Sequence, residues 1–487
     1  MNTEREKTDV QTGPSIPIAP KGLALLMVLG PGLIWASEYI GSGEVILATR
    51  AGAILGLMVL WVPVIGIFTK FWIGYAGARY TVCTGESMID MMGRTPGPKN
   101  WVIWPVFIGQ LISGAVATGG LAISAGAFAH YFIPSVPAFA LGWIISLVMI
   151  AIVWNGEFNI LKYIMSVLVL IIVVGVFDVA RTTWPGWGTL LVGSFGFQVP
   201  PVPEWAAQSS TIASSAWVEI LPLLGWAAGG LASQVWYTYW VMGAGYGMAH
   251  GRGYGKPFDE NALRTMSTDT AHRVKGWCKV VATDAGLALL LGMVVTVAFM
   301  MAGAGILRPA KIAPEGDQVA FQLAELFTSY GPMGAKLFVL AGLAALMSTL
   351  LGQFAGWPRL LADCARLTIP AVAKYSWKVQ FRAVLVLYAF SNLIIVYSFG
   401  LKPVLLIKLG AILDGLILTP LQALAAGLVL FFVMPKFFPT HVAKILKPSP
   451  IIAIGLIAAL ILFGSVAILK APGALIVLVA SPPATPE

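Results

Sequence analysis

The chain has 487 residues, 58% of them hydrophobic and 10% charged, and a mean hydropathy of +0.85. A soluble protein of this size needs far more charged surface, so the composition excludes one and points to a polytopic membrane protein. The net charge of +9 belongs to the placement of Lys and Arg in loops, not to affinity for nucleic acid.

Residues 1–21 are polar and mixed in charge, with no apolar core segment, and are expected to form a cytosolic tail rather than a cleavable signal peptide. From about Lys21 to Gly52 the chain is mostly apolar, and a straight helix of that length would exceed a hydrocarbon core of ~30 Å. Glu38 and Glu44 lie inside this stretch, with Gly41-Ser42-Gly43 between them. Ionisable groups at that depth are expensive, and glycines permit local unwinding. A membrane helix broken at midplane, with carboxylates at the break, is the pattern of a secondary transporter.

Eleven membrane segments are expected near 22–52, 54–78, 101–123, 137–155, 160–180, 216–247, 280–305, 334–357, 380–399, 403–433 and 449–470. The loop after the sixth holds Arg252, Lys256, Arg264, Arg273, Lys275 and Lys279; the loop after the eighth holds Arg359, Arg366, Lys374, Lys378 and Arg382. Both share the side of the N-terminus, which is therefore read as cytoplasmic in a plasma (inner) membrane. The 181–215 loop, with Trp184-Pro-Gly-Trp187 and Pro200-Pro-Val-Pro-Glu-Trp205, is poor in cations and reads as extracytoplasmic, and an odd number of helices places the C-terminus there too.

Segment six is a second long apolar stretch, interrupted by Gly225-Trp-Ala-Ala-Gly229-Gly230-Leu-Ala-Ser233-Gln234. It opens a second group of five helices as segment one opens the first. Two glycine-interrupted helices at corresponding positions imply an inverted repeat. The expected fold is all-α: a first five-helix repeat over 22–180, a second over 216–433, and an extra helix with a tail over 434–487.

Gly30-Pro31 opens segment one and Ala51-Gly52 closes it; segment two ends in Thr84-Gly85-Glu86-Ser87, segment seven begins at Asp284, and segment eight reads Ser348-Thr349-Leu-Leu-Gly352-Gln353. This order resembles the Nramp family of divalent metal transporters, over about residues 24 to 430. The resemblance implies a LeuT-type five-plus-five fold. The family's first-helix motif, Asp-Pro-Gly-Asn, falls on Gly41-Ser42-Gly43-Glu44, and its sixth-helix Met-Pro-His falls on Ala232-Ser233-Gln234. The metal-binding Asp, the soft sulfur ligand and the histidine are thus absent. Segment three reads Ala117-Thr-Gly-Gly-Leu-Ala122, without the acidic residues that the family links to proton movement.

Glu44, Ser42 and Gln234, with freed carbonyls near Gly41 and Gly229, make a candidate all-oxygen site suited to a hard cation such as Mg²⁺ or Mn²⁺, with Glu44 as the metal ligand. Glu38, Ala232 and Ser233 complete the candidate binding set, and Asp284 and Arg50 are candidates for coupling or gating. Arg50 would repel a cation arriving at the outer mouth. It motivates a rival reading in which half-helix N-termini and the ring-rich surroundings (Trp35, Tyr39, Trp236, Tyr237) hold an amino acid or carboxylate. A cation channel is a further alternative.

Blander roles stand beside each of these. Glu38 can pair locally, Gly229 and Gly230 can permit close packing, Ser233 and Gln234 can bridge helices, and Asp284 can cap one. Lys408 and Asp414 are six apart, share no helix face, and each is expected to pair elsewhere. The four histidines (130, 250, 272 and 441) are scattered, and Cys83, Cys278 and Cys364 match no zinc spacing. There is no HExxH, P-loop or Gly-x-Ser-x-Gly, so no enzyme or ATP-driven pump is expected. No cofactor is expected beyond a transported divalent cation. The expected partners are the bilayer and a small ion or solute, with neither nucleic acid nor an obligatory protein.

Overall fold

A computed structural model of the chain describes residues 16–207, 215–314, 332–399 and 403–480, and among them the regular structure is entirely helical. The first half contains α1 (Pro31–Tyr39), α2 (Gly43–Val59), α3 (Trp61–Thr84), α4 (Ile103–Phe132), α5 (Ala138–Val153) and α6 (Phe158–Thr182). The second contains α7 (Trp217–Trp226), α8 (Leu231–Gly243), α9 (Thr268–Leu307), α10 (Pro332–Thr368), α11 (Trp377–Phe399) and α12 (Val404–Phe437), followed by α13 (Pro450–Leu469). Each of the eleven expected segments falls on one of these helices or broken pairs. Among the described residues seven spans, or eight if α1 and α2 count as one, are long and apolar enough to cross a membrane.

The first apolar run is not one helix. A short turn of helix (Ala24–Val28) stops at Leu29 and Gly30, where Pro31 starts α1 in the position that tolerates its missing N–H. Ile40–Ser42 then interrupts the helix again, and α1 and α2 meet at 46°. The 181–215 loop is partly ordered as Trp187–Phe195 and Glu204–Ala207, while 208–214 lies outside the described residues.

The broken helices occupy the centre. α1 packs against α6, α8, α9 and α10, and α2 packs against α7 and α9. Close approach is achieved through small residues, as expected where lipid tails leave packing as the main force between helices. A Cβ on Gly52 would collide with the Met300 carbonyl, and one on Gly32 with that of Asp284. The outermost helices show apolar side chains on their free faces, such as Ile454 and Ile461 on α13 and Leu170 and Phe177 on α6. Those faces are suited to lipid.

Candidate functional site

Two interruptions face each other at the centre. In the first, Tyr39 ends α1 and Gly41-Ser42 leads into a wide π-type turn at Gly43–Ala48. In the second, Ala227–Gly230 separates α7 from α8, and Ala228 (φ +58°) and Gly229 (φ +73°) take left-handed backbone conformations. Gly229 adopts that conformation readily, whereas Ala228 carries a strain of about 1–2 kcal/mol.

Between the breaks lies a cavity of about 30 Å³, lined by Glu38, Tyr39, Ser42, Gly43, Trp226, Gly229, Gly230, Ser233, Trp236, Thr349, Gln353, Trp357 and Asp414. That space holds about two waters. Two of the lining side chains are carboxylates on different helices. Glu38 accepts a hydrogen bond from Ser233 Oγ, which in turn accepts one from Trp35 Nε1 at 2.9 Å. Asp414 accepts from Gln110 Nε2 at 2.6 Å and from the Ala232 N–H at 3.1 Å, so it caps the first turn of α8. Thr349 Oγ1 and Trp236 Nε1 are buried polar atoms of the lining with no hydrogen-bond partner among the described residues. Gly352 lets Glu38 lie against α10, since a Cβ there would stand 2.5 Å from the Glu38 Cβ.

The residues expected from sequence separate into two groups. Glu38, Ser42, Gly229 and Ser233 line the cavity, and Ala232 reaches it through the N–H that Asp414 accepts. Glu44 does not line it: Oε2 accepts from the Gly41 N–H at 3.0 Å and Oε1 lies 3.5 Å from Thr296 Oγ1, so the carboxylate caps the start of α2. The helix bends at Ser42 and π-winds after it, which turns this side chain back onto its own break. Gly41 is also outside the lining, where a Cβ would strike Thr349 Oγ1. Gln234 closes the second break by donating from Nε2 to the Ala228 carbonyl at 2.8 Å.

Arg50 is not an open cation at a mouth. It makes a two-pronged pair with Glu219 (3.0 and 3.2 Å) and donates to the Pro314 carbonyl at 2.8 Å, while Lys408 reaches the same carboxylate at 2.7 Å. Asp284 caps a helix other than its own: it accepts from the Gly32 N–H of α1 at 2.6 Å and from Tyr237 Oη at 3.1 Å. Lys408 and Asp414 do part, one to Glu219 and the other to the cavity.

Sequence reasoning passed over Lys70. It sits in the middle of α3 with no exposed surface and donates to the carbonyls of Gly225, Gly229 (2.6 Å) and Leu224 (3.5 Å). A cation at mid-helix in an apolar span was the available signal. Among the described residues no three His, Cys, Asp or Glu side chains converge as a metal cluster.

A bundle built around two broken helices with a polar cavity between them is an architecture found in secondary transporters. Solved transporters share it. A mutant of the manganese transporter of Eremococcus coleocola matches with a TM-score of 0.65 at 13% identity, covering 97% of this chain and 96% of that one. A nucleobase-cation-symport-1 family transporter matches with a TM-score of 0.51 at 15% identity over 94% of each chain. The fold is therefore LeuT-like. In sequence, the family model for natural resistance-associated macrophage protein-like (Nramp) proteins matches residues 32–225. An 80-residue stretch is 32% identical to the divalent metal cation transporter MntH of Yersinia enterocolitica, covering 16% of this chain and 20% of that protein. A 134-residue stretch is 25% identical to an uncharacterised protein of Pasteurella multocida, covering 27% of this chain and 30% of that protein. The aligned stretches thus span less than a third of these curated relatives. Residues 32–225 thus resemble the Nramp family, and the apolar helices make the chain a multi-pass membrane protein.

Proposed function

We propose that the chain is a secondary transporter that moves a divalent metal cation by alternating access around the cavity between the two breaks. One observation carries this reading: two carboxylates from different helices, Glu38 and Asp414, face a cavity of about 30 Å³ that also presents the oxygens of Ser42, Ser233, Thr349 and Gln353. Carboxylate, hydroxyl and amide oxygens suit Mg²⁺ or Mn²⁺, and the lining offers no sulfur or imidazole for softer metals. The size suits an ion with little of its water better than an organic solute. The resemblance to the Nramp family supports a metal cargo, and one solved transporter with this fold is a manganese transporter. In this proposal Glu38 and Asp414 are the charged ligands and Glu44 shapes the first break. In this proposal the cation-rich loops and the N-terminus lie in the cytoplasm, and the membrane is the plasma (inner) membrane.

The test is Mn²⁺ and Mg²⁺ uptake by proteoliposomes of the purified protein. Glu38→Gln and Asp414→Asn should each lower uptake by at least about tenfold, the loss usual for even an outer partner of a metal site. Full uptake in both variants would sink the proposal. A second reading, an amino acid or other small organic solute, is favoured by the indole rings of Trp226, Trp236 and Trp357, which could receive an ammonium group. It requires a stabilising organic ligand in thermal melts where divalent ions give no shift.

A further inference from the structure

The last carbonyls of a half-helix have no partner within the helix and carry the negative end of its dipole. At the end of α7, Leu223 is satisfied by the Ala227 N–H at 3.0 Å and Trp226 by the Gly229 N–H at 2.8 Å. The carbonyls of Leu224 and Gly225 are left, and the left-handed turn at Ala228-Gly229 brings the Gly229 carbonyl round beside them. All three accept from Lys70 Nζ, so the ammonium places its three donors on three freed carbonyls. The ring of Phe463 on α13 covers the charge at 5.0 Å. Across the same break, Asp414 caps the positive end of α8. The interruption is thus held by a cation at one half-helix end and an anion at the other.

In transporters with broken helices, freed carbonyls and half-helix C-terminal ends are where a coupling cation is bound. We infer that Lys70 is a tethered substitute for that ion: its ammonium fills the monovalent-cation position at the break between α7 and α8, so this protein takes no soluble cation there. The inference rests on the geometry of the break and holds for either cargo of the neighbouring cavity. A lysine that merely packs would contribute stability, but its loss would not create a binding site for a free cation. A substitute ion would leave one.

The experiment uses the purified full-length protein in choline chloride, with no cargo present, so its outcome is independent of the cargo reading. Lys70→Ala should melt below the wild type, and millimolar methylammonium or Na⁺ should raise its Tm saturably by about 2 °C or more. The wild type should not respond. Lys70→Met, which fills the space without the charge, should be destabilised and should not be rescued. Three results would overturn the inference: a Lys70→Ala protein that gains no more from either cation than the wild type, a Lys70→Met protein as stable as the wild type, or saturable stabilisation of the wild type by Na⁺. Should Lys70→Ala not survive purification in choline, it is purified in methylammonium, and failure there too counts against the inference.

Discussion

Two buried ionic clusters bind the helices on opposite sides of the central breaks, and they are built differently. On one side, Arg50 of α2 and Lys408 of α12 share the single carboxylate of Glu219 on α7, and all three are at most 3% exposed. On the other, Arg366 of α10 is shared by Asp90 (2.5 Å) and Asp363 (2.7 Å), and Asp363 also accepts from Ser87 Oγ (2.9 Å) and Tyr239 Oη (2.6 Å). The first is a knot that gathers two cations on the Glu219 carboxylate, with the Pro314 carbonyl as a further acceptor for Arg50. The second is anion-rich, lies partly in reach of solvent through Arg366 (10% exposed), and is supplied with hydroxyl donors. Among the described residues, the dry knot converges on a single carboxylate where the wetter cluster has two carboxylates and two hydroxyl donors.

The largest effect is expected from breaking the knot at its centre. Glu219→Ala leaves two cations buried without their carboxylate, a loss of roughly 3–5 kcal/mol, seen as a collapse of folded yield or a steep fall in Tm. The triple change Arg50→Met, Glu219→Leu and Lys408→Met should be more stable than Glu219→Ala alone, because neither cation is then left buried without the Glu219 carboxylate. A triple variant worse than the single one would refute this account of the knot. Asp363→Asn should cost about 1–3 kcal/mol, since the amide oxygen still accepts from Ser87 or Tyr239 and Arg366 keeps Asp90. Equal melting losses at Glu219 and Asp363 would erase the contrast between the clusters. Arg264→Ala sets the floor: its pair with Glu260 is an exposed i,i+4 contact (64% and 66%), and the melt should move by no more than about 0.5 kcal/mol.

The sequence was most legible where a local signal was strong. Gly41-Ser42-Gly43 and Gly229-Gly230 marked both interruptions, and the apolar runs marked the helices. It was least legible where the site is assembled across the fold. Glu38 and Glu44 look alike in the chain, and only the bend at Ser42 decides that the first faces the cavity while the second caps α2. Asp414 arrives from α12 and Lys70 from α3, and no spacing along the chain links either to the break between α7 and α8. Arg50 read as an unshielded charge because its partners, Glu219 and the Pro314 carbonyl, are remote in sequence.

The cavity's smallness has a kinetic consequence. A metal ion in water carries an ordered shell, and a space of about 30 Å³ leaves room for very little of it. For the metal cargo we propose, enclosure between the breaks would mean exchanging ligated water for Glu38, Asp414 and their neighbouring oxygens on every cycle. Two ions of equal charge are then sorted first by the ease with which they shed water. Mg²⁺, which dehydrates reluctantly, would be the slower of the two hard cargoes even where the protein's oxygens hold both equally well.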